Sequence, residues 1–438
     1  MPALLGELLE FLRIPSVSAG RRRPDALLEA ARWVRDYLSG AGRAELVEVD
    51  REAPLVVAEL GPDDAPPVLV YGHYDVQDPG DAAQWTSDPF EPALRDGRVY
   101  ARGAADDKGN MLPLLAAARD LAAQGELRLR VTALVEGGEE TGSTAACRWL
   151  RERAGDFAAA IAFDTTMADE RTPLLCVGAR GLVMLGVSVR VAERDLHSGI
   201  YGGVAENAIH LLARAIDRLV EQTADGGAPL LADDVEPPSE LERAAWQRLR
   251  AGQQLLAAAG GRAADPARLA RFWELTTARP SLDVHCFEAG APRTIVPATA
   301  SATLSARLVP RQRPDSVADA IERALRGFLP DHVELAVEGL ASADPVRFDP
   351  QHPVLAAARK ALARACANPP IVARTGGTLP VLGELAAHRV PTVFTGFALE
   401  EDAVHGADES FRVEALELGY RAARELLREL AATLRSGE

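Results

Sequence analysis

The segment "PVLVYGHYDV" (residues 67–76) is an apolar run that ends in a histidine and an aspartate. A near-continuous apolar run without alternation predicts a strand that is buried on both faces, as in a parallel sheet. His73 and Asp75 share one face of a regular strand, so the carboxylate can accept from one ring nitrogen while the other stays available for a cation. Taken alone, the pair is equally compatible with a core histidine and a nearby surface acid.

The segments on either side of this strand alternate between helix and strand patterns. Up to residue 164, the pattern predicts helices at 2–13, 25–40, 108–123 and 143–153, with Gly40 ending the second, and strands at 55–60, 67–76, 128–136 and 158–164. After residue 353, it predicts helices at 354–367, 379–387 and 412–434, and strands at 371–374 and 390–395. This alternation predicts an α/β fold with a mostly parallel sheet covered by helices, in which ligands collect at the carboxyl ends of the strands.

Between residues 181 and 340 the pattern changes to β-α-β-β-α-β, the ferredoxin-like order. The predicted elements are strands at 182–192, 282–287, 301–309 and 332–338, and helices at 203–222 and 315–327. An Ala-rich stretch near 226–280 is predicted to form a mostly helical insertion. We therefore predict an α/β domain formed by residues 1–180 and 341–438, interrupted by a lid domain of residues 181–340.

Composition limits the classes of function. The chain has 438 residues, 48 of them basic and 64 acidic, and a net charge of −16. This balance argues against nucleic acid or an anionic membrane as a partner. No stretch approaches the ~20 consecutive apolar residues of a membrane span and no signal peptide is evident, so we expect a cytoplasmic protein. The four cysteines form no C-x-x-C pair, which indicates neither a zinc knuckle nor a disulfide framework.

Acids follow three further predicted strands, a short one before residue 101 and those at 128–136 and 158–164. They are Asp106 and Asp107 in "ARGAADDKGNM" (101–111), Glu139 and Glu140 in "EGGEETGS" (136–143), and Asp164 in "IAFDTTM" (161–167). Each set alone could cap a helix, but four successive strand ends with histidine or acid are hard to ascribe to capping. Acids clustered at one sheet edge raise one another's pKa unless a cation is present.

A metal centre resolves this conflict of charge. Histidine and carboxylate ligands together suit zinc, manganese or cobalt better than magnesium. Two ions ~3.5–4 Å apart need one carboxylate that serves both. His405, in the loop "EEDAVHGADESFRV" (400–413), follows the last predicted strand and is a further candidate ligand.

The motifs, taken in order, resemble a known family. H-x-D after an apolar strand, "RGAADDKG", "EGGEETGS", a strand-final aspartate, "DLHSGIYGG" (195–203) and a late loop histidine are similar to the co-catalytic metallopeptidases. That family includes carnosinases, aminoacylases, succinyl-diaminopimelate desuccinylases and glutamate carboxypeptidases, and the chain most resembles the carnosinase-like dipeptidase branch. The resemblance covers essentially the whole chain, including the lid.

The resemblance implies two divalent metal ions. Zinc is the expected metal, with manganese or cobalt as alternatives. Asp106 would bridge the ions, with His73 and Asp164 completing one site and Glu140 and His405 the other. Asp75 would orient His73, and Glu139 would be the general base. The Asp106–Asp107 peptide is often cis in this family, and we expect it to be cis here.

The implied reaction is hydrolysis of the amide bond of dipeptides or short peptides by a metal-bridged water. An N-acyl amino acid deacylase of the acetylornithine or succinyl-diaminopimelate type is the alternative. A catalytically silent scaffold would lack a ligand, and none is missing. His197 in "DLHSGIYGG" matches a family histidine that reaches into the partner's active site, which implies a homodimer through the lid; alternatively, His197 only caps the turn before the next helix.

Substrate-binding residues are implied in the same way. Arg307 in "RTIVPATASATLSARLVP" (293–310) matches the arginine that holds a substrate carboxylate, the alternative being a surface arginine at a strand edge. Thr294 matches a polar contact position of carnosinase-like members. In "RTGGTLPVL" (374–382), Gly376, Gly377 and Thr378 resemble a substrate-binding Gly-Gly-Ser turn, with threonine replacing the serine. Thr375 stands where carnosinases have an acid.

Overall fold

The computed structural model describes residues 2–221, 230–231, 234–263 and 265–435. The first part of the chain alternates between helices and strands, as predicted. Its elements are α1 (Pro2–Leu12), α2 (Pro24–Ser39), β1 (Gly42–Val47), β2 (Leu55–Leu60), β3 (Pro67–His73), β4 (Ala93–Arg95), β5 (Arg98–Tyr100), α3 (Lys108–Ala123), β6 (Arg130–Glu136), α4 (Thr144–Arg153), β7 (Ala159–Phe163) and β8 (Leu174–Ala179).

The middle part of the chain contains the elements of the predicted lid and its insertion. They are β9 (Gly181–Arg190), β10 (Leu196–His197), α5 (Ser198–Tyr201), α6 (Ala208–Glu221), α7 (Glu240–Trp246), α8 (Gly252–Ala258), α9 (Pro266–Leu269), α10 (Phe272–Thr277), β11 (Ser281–Ala289), β12 (Ile295–Val296), β13 (Thr299–Leu308), α11 (Pro314–Phe328) and β14 (Glu334–Ala343).

The last part of the chain returns to the α/β pattern. Its elements are β15 (Val346–Arg347), α12 (Pro353–Ala365), β16 (Ile371–Thr375), α13 (Val381–Ala387), β17 (Thr392–Thr395), β18 (Ser410–Arg412) and α14 (Val413–Arg435). Residues 1, 222–229, 232–233, 264 and 436–438 lie outside the described residues, and so do the parts of the predicted ranges that fall on them.

The central sheet has the strand order β1-β2-β6-β3-β7-β17-β8-β15, with β16 also paired to β8. The four strands β6, β3, β7 and β17 run parallel to one another. Antiparallel pairs flank them, β1–β2–β6 on one side and β17–β8–β15 on the other. The predicted α/β fold with a parallel centre is confirmed, and the carboxyl ends of β3, β6 and β7 therefore meet at one edge.

Helices cover this sheet closely enough to bury β3 from Val68 to His73. Val68, Leu69 and Val70 have no exposed surface, and Tyr71 is 1% exposed. At Gly72 a Cβ atom would meet the Met111 side chain of α3 at 2.5 Å, so only glycine permits this approach of helix to strand. The apolar run in the sequence thus reflects burial on both faces, and it brings α3 close to the end of β3.

A second sheet forms from the middle part of the chain, with the antiparallel order β11-β13-β9-β14. Helices α6 and α11 pack against it, which completes the β-α-β-β-α-β order predicted for the lid. A separate hydrophobic cluster, which includes Val183, Leu304 and Ile321, lies between these helices and the sheet. The domain boundaries at residues 180 and 340 stay a prediction, and β14 continues to Ala343.

The helix predicted at 203–222 begins later, at Ala208. The Asn207 side chain accepts a hydrogen bond from the Ile209 backbone N–H at 2.9 Å, and such a side chain favours a helix start over a helix interior. The described part of the insertion is helical, as expected, in the short helices α7 to α10. Among the described residues, no helix has both the length and the apolar character that crossing a bilayer requires.

Candidate metal centre

Two triads of potential ligands share Asp106 at the carboxyl edge of the central sheet. One consists of His73, Asp106 and Asp164, and the other of Asp106, Glu140 and His405; within each, the ligand atoms lie within 4.8 Å of one another. His73 Nε2 is 3.0 Å from Asp106 Oδ1, and His405 Nε2 is 2.9 Å from Asp106 Oδ2. The structure thus brings the five predicted ligands together, and the two oxygens of Asp106 face different histidines.

The strand ends and loops explain this convergence. His73 ends β3, opposite Glu136 of the parallel neighbour β6, and Asp164 directly follows β7. Asp106 precedes α3, and its peptide bond to Asp107 is cis, as the resemblance implies. His405 reaches the site from the loop before β18, with a positive φ of 63°.

Asp75 contacts both sides of the site. One of its carboxylate oxygens lies 3.3 Å from His73 Nδ1, on the side of the ring opposite Asp106. The same carboxylate accepts hydrogen bonds from the backbone N–H groups of Glu139 and Glu140, at 3.2 and 3.1 Å, and from Ser18 Oγ at 2.6 Å. Asp75 is fully buried, so it both fixes the imidazole and holds the turn that carries the two glutamates.

The carboxylates of the site are electrostatically strained when only protein groups surround them. Burial raises the pKa of Glu139 and of Asp164 well above the usual range, and neighbouring carboxylates raise both further. Hydrogen bonds with Asp106 and Glu140 raise the pKa of His405 to about 10, so these acids hold a proton on that ring. A divalent cation competes for the same ligands and relieves the same repulsion.

The residues present fit a pair of cations in their donor chemistry as well. Each triad offers one imidazole nitrogen and carboxylate oxygens, a combination typical of zinc and other transition-metal ions. Glu140 Oε1 is buried and has no hydrogen-bond partner among the described residues. A buried oxygen of this kind is costly unless a ligand occupies it, and it therefore favours coordination.

Glu139 lies beside the triads and belongs to neither. It begins the short 3-10 turn Glu139–Thr141, which Gly142 ends with a φ of 104°. Successive side chains in such a turn diverge, so Glu140 joins a triad while the Glu139 carboxylate stays outside it. The turn thus gives the two adjacent acids different environments.

Sequence reasoning missed a buried support beneath Asp106. Glu409, which has no exposed surface, accepts hydrogen bonds from the backbone N–H groups of Gly103, Ala105 and Asp106 at 2.8–3.0 Å. It also pairs with Arg102 at 2.6 Å, and Arg102 donates to the carbonyl oxygen of His405 at 3.1 Å. In the sequence, Glu409 is one of five acids between residues 400 and 409, and no local pattern sets it apart from the other four.

Three predicted substrate-binding residues meet at a second group of contacts. Arg307 donates to Thr378 Oγ1 at 2.8 Å, and Thr378 Oγ1 donates to the carbonyl oxygen of Arg180 at 2.6 Å. Arg180, which sequence reasoning missed, donates through Nε to the carbonyl oxygen of Gly376 at 3.1 Å. Gly377 continues this turn, with its N–H donating to Thr375 Oγ1 at 3.2 Å.

The two arginines of this group favour an anion. Burial and, to a smaller extent, the nearby charge of Arg307 lower the pKa of Arg180 to about 10. Burial also lowers the pKa of Arg307. Two half-buried guanidinium groups repel each other, and a carboxylate bound between them would relieve that repulsion. We call Arg180, Arg307 and Thr378 the arginine cluster.

The structure does not bring His197 and Thr294 to the metal centre of their own chain. His197 pairs with Ile295 in the two-stranded ribbon of β10 and β12, and Thr294 directly precedes β12, where its carbonyl oxygen accepts from the Ser198 N–H at 3.1 Å. Both residues are exposed. His197 Nδ1 accepts from the Gly199 N–H at 3.0 Å. Within one chain, His197 therefore caps the turn, as in the alternative interpretation.

Comparison with known proteins supports the resemblance. The family model of "Peptidase family M20/M25/M40" matches residues 69–429. The cysteinylglycine-S-conjugate dipeptidase of Corynebacterium striatum is 30% identical over 440 residues, which cover 96% of this chain and 93% of that protein. The Beta-Ala-His dipeptidase of Rattus norvegicus is 27% identical over 349 residues, which cover 75% of this chain and 70% of that protein.

A solved structure has the same fold over the whole chain. The metallo-carboxypeptidase Sso-CP2 of Sulfolobus solfataricus is 26% identical and superposes with a TM-score of 0.87, covering 99% of this chain and 100% of that one. The family predicted from the motifs is thus confirmed, since the matching model spans most of the sequence, from β3 to α14. The chain belongs to peptidase family M20/M25/M40.

Proposed function

We propose that this protein is a dinuclear metallodipeptidase that hydrolyses the amide bond of dipeptides or short peptides. The observation that carries the proposal is the position of Asp106, whose two oxygens face His73 and His405 at 3.0 and 2.9 Å. A carboxylate shared in this way is what a two-metal site requires. Dipeptidase relatives that match most of the chain favour peptides over N-acyl amino acids as substrates.

His73 and Asp164 would hold one ion, Glu140 and His405 the other, and Asp106 both. We propose zinc as the native metal, with manganese or cobalt as alternatives, because each triad includes an imidazole. Divalent ions at such a site supply a Lewis acid for the substrate carbonyl and lower the pKa of a water molecule. Asp75 keeps the His73 ring in place by its contact with Nδ1.

Glu139 would serve as the general base and then as the general acid. It lies next to a ligand but outside both triads, so its carboxylate is free to exchange protons. It takes a proton from the attacking water as the oxygen bonds to the carbonyl carbon, and it gives a proton to the amide nitrogen as the C–N bond breaks. Asp75 holds the Glu139 backbone at 3.2 Å and so fixes its starting position.

The arginine cluster would bind the free carboxylate of the substrate. Arg307 offers a planar guanidinium suited to two parallel hydrogen bonds, and Arg180 adds a second positive charge. Thr378 fixes the arrangement by joining Arg307 to the Arg180 carbonyl. Such a cluster selects peptides with a free C-terminus, which is the behaviour of an exopeptidase.

A homodimer through the lid is part of the proposal, with His197 acting in the partner's site and Thr294 beside it. The ribbon that carries His197 is followed by exposed apolar side chains, Ile200 at 70% and Val204 at 90% exposure. Exposed apolar groups of this size favour a contact surface. The cytoplasmic location and the boundaries of the catalytic and lid domains also remain proposals.

The decisive experiment is kinetics on metal-free enzyme reconstituted with zinc, manganese or cobalt. The substrates are dipeptides, N-acetyl amino acids and N-succinyl amino acids. We expect metal-dependent release of free amino acids from dipeptides, with an Asp106→Asn variant losing both bound ions and activity. Cleavage of the acylated amino acids alone would reject the dipeptidase and favour the deacylase.

A further inference from the structure

A cavity of ≈ 750 Å³ lies between the helical insertion and the central sheet. Apolar side chains from both sides line it: Leu249, Leu255 and Trp273 from the insertion, and Met167, Leu174 and Cys176 from the sheet region. Pockets for drug-sized molecules measure roughly 300–1,000 Å³, so the cavity is far larger than the side chain of a small amino acid needs.

The buried side chains of the cavity lining are apolar except for Arg374, which is 6% exposed and pairs with Glu242 at 2.6 Å. Cys176, Met167 and Leu255 are 1%, 4% and 9% exposed. The Trp273 Nε1–H donates to the Arg250 carbonyl at 3.0 Å, so the polar group of the indole is already bonded. The half-exposed ion pair Arg250–Glu401 lies among the lining residues nearer to solvent. An apolar group therefore fits the depth of the cavity.

The lining of the cavity includes a sequence neighbour of a predicted metal ligand and part of the substrate-binding turn. Thr165, which follows the predicted ligand Asp164, lines it, and so does Gly376. The described residues that line the cavity do not include Arg180, Arg307 or Thr378 of the arginine cluster. Arg180 bonds the Gly376 carbonyl, so the backbone of this turn separates the cavity from the cluster.

We propose that this cavity binds a bulky apolar side chain on the N-terminal residue of a dipeptide, and that the insertion determines this preference. The inference rests on the proposed function. The C-terminal residue is held by its carboxylate at the arginine cluster, beyond the Gly376 backbone. The residue whose carbonyl reacts lies against the metal centre, and its side chain enters the cavity beside Thr165.

The test compares two substrate series on the metal-loaded enzyme. In X-Gly dipeptides X is Ala, Leu, Phe or Trp, and in Gly-X dipeptides the same residues stand at the C-terminus. We expect kcat/KM to rise at least about tenfold from Ala-Gly to Phe-Gly, the order of discrimination that an apolar pocket provides. A flat X-Gly series, or a preference for bulk only in the Gly-X series, would overturn the proposal.

Variants connect this preference to the insertion. Leu255→Trp fills the cavity and should lower the ratio of kcat/KM for Phe-Gly over Ala-Gly by about tenfold. Leu241→Trp, on the exposed face of α7 with Leu241 75% exposed, is the matched control and should leave the ratio unchanged. An equal loss on both substrates in Leu255→Trp would count against the proposal. If Leu255→Trp does not fold, Leu249→Trp at a half-buried lining position makes the same test.

The two proposals fail in different ways. If the metal-loaded enzyme cleaves no dipeptide at all, the proposed function is wrong. If it cleaves Ala-Gly as well as Phe-Gly, the dipeptidase function stands and the role of the cavity is rejected.

Discussion

The Glu409 carboxylate accepts a hydrogen bond from the backbone N–H of Asp106 at 3.0 Å. The same carboxylate pairs with Arg102, which holds the carbonyl oxygen of His405 at 3.1 Å. The loop that carries the shared aspartate and the loop that carries the late histidine are therefore joined through one buried ion pair. The ion pair thus holds the backbone of Asp106 and of His405, two members of the second triad, without being part of that triad.

The first prediction concerns this support. Glu409→Gln should weaken the binding of divalent metal by about 10–100-fold, the usual cost of losing a residue that orients ligands. In the glutamine an NH₂ group replaces one carboxylate oxygen. This donor would face backbone N–H groups that need an acceptor. Metal content after dialysis against graded chelator concentrations measures the effect independently of turnover.

The neighbouring acid provides the control for that experiment. Asp408 bonds Thr86 near the surface, at 2.6 and 2.9 Å, and has no contact with the triads among the described residues. Asp408→Asn should therefore bind metal like the unaltered protein. Equal metal affinity in Glu409→Gln and the unaltered enzyme would show that the ion pair does not position the site.

The second prediction separates the two adjacent glutamates. Glu139→Gln should retain both ions and lose about 10²–10⁴-fold in kcat, the usual contribution of general acid–base catalysis. Glu140→Gln should lose metal as well, because Glu140 belongs to the triad with Asp106 and His405. Metal analysis and kinetics on the same samples distinguish the two outcomes, and near-normal turnover of Glu139→Gln would refute its assignment.

The parallel centre of the fold was predictable because its cause is local. An apolar run such as β3 and the helical pattern of α3, which begins and ends at the predicted residues 108 and 123, need no distant partner to be recognised. Strand β8 was missed, since it follows β7 without an intervening helix and pairs with β15, β16 and β17 from the far end of the chain. Strand β1 was missed because its half-exposed edge position leaves a weak apolar pattern.

The candidate site shows the same division between local and long-range causes. Acids at the ends of parallel strands must meet at one edge, and the structure brings His73, Asp106 and Asp164 together there. Glu409 and Arg180 were not predictable, because their contacts join segments that lie about 300 and 200 residues apart. The cavity beside the insertion likewise exists only after the chain has folded.

The third prediction tests the arginine cluster. Arg307→Met should lower kcat/KM for a dipeptide by roughly 10–100-fold, because a charge-assisted hydrogen bond contributes about 1.5–3 kcal/mol. The same variant should hydrolyse the C-terminally amidated dipeptide as well as the unaltered enzyme does, since that substrate offers no carboxylate. Arg307→Lys keeps the charge without the planar guanidinium, so its kcat/KM for the dipeptide should lie between those of Arg307→Met and the unaltered enzyme. An equal loss on both substrates would remove Arg307 from carboxylate binding.

The fourth prediction tests whether His197 acts across a dimer interface. His197→Ala should be inactive because it withholds the histidine from its partner's site, and Glu139→Gln is inactive within its own site. In a mixed dimer, the His197→Ala protomer keeps its Glu139 and receives His197 from the partner, so one of the two sites works. If subunits exchange freely, half of the dimers are mixed, and the mixture should recover about one quarter of normal activity. If the mixture shows only the sum of the two residual activities while native mass spectrometry detects mixed dimers, His197 does not act in trans, and its bond with Gly199 N–H is its role.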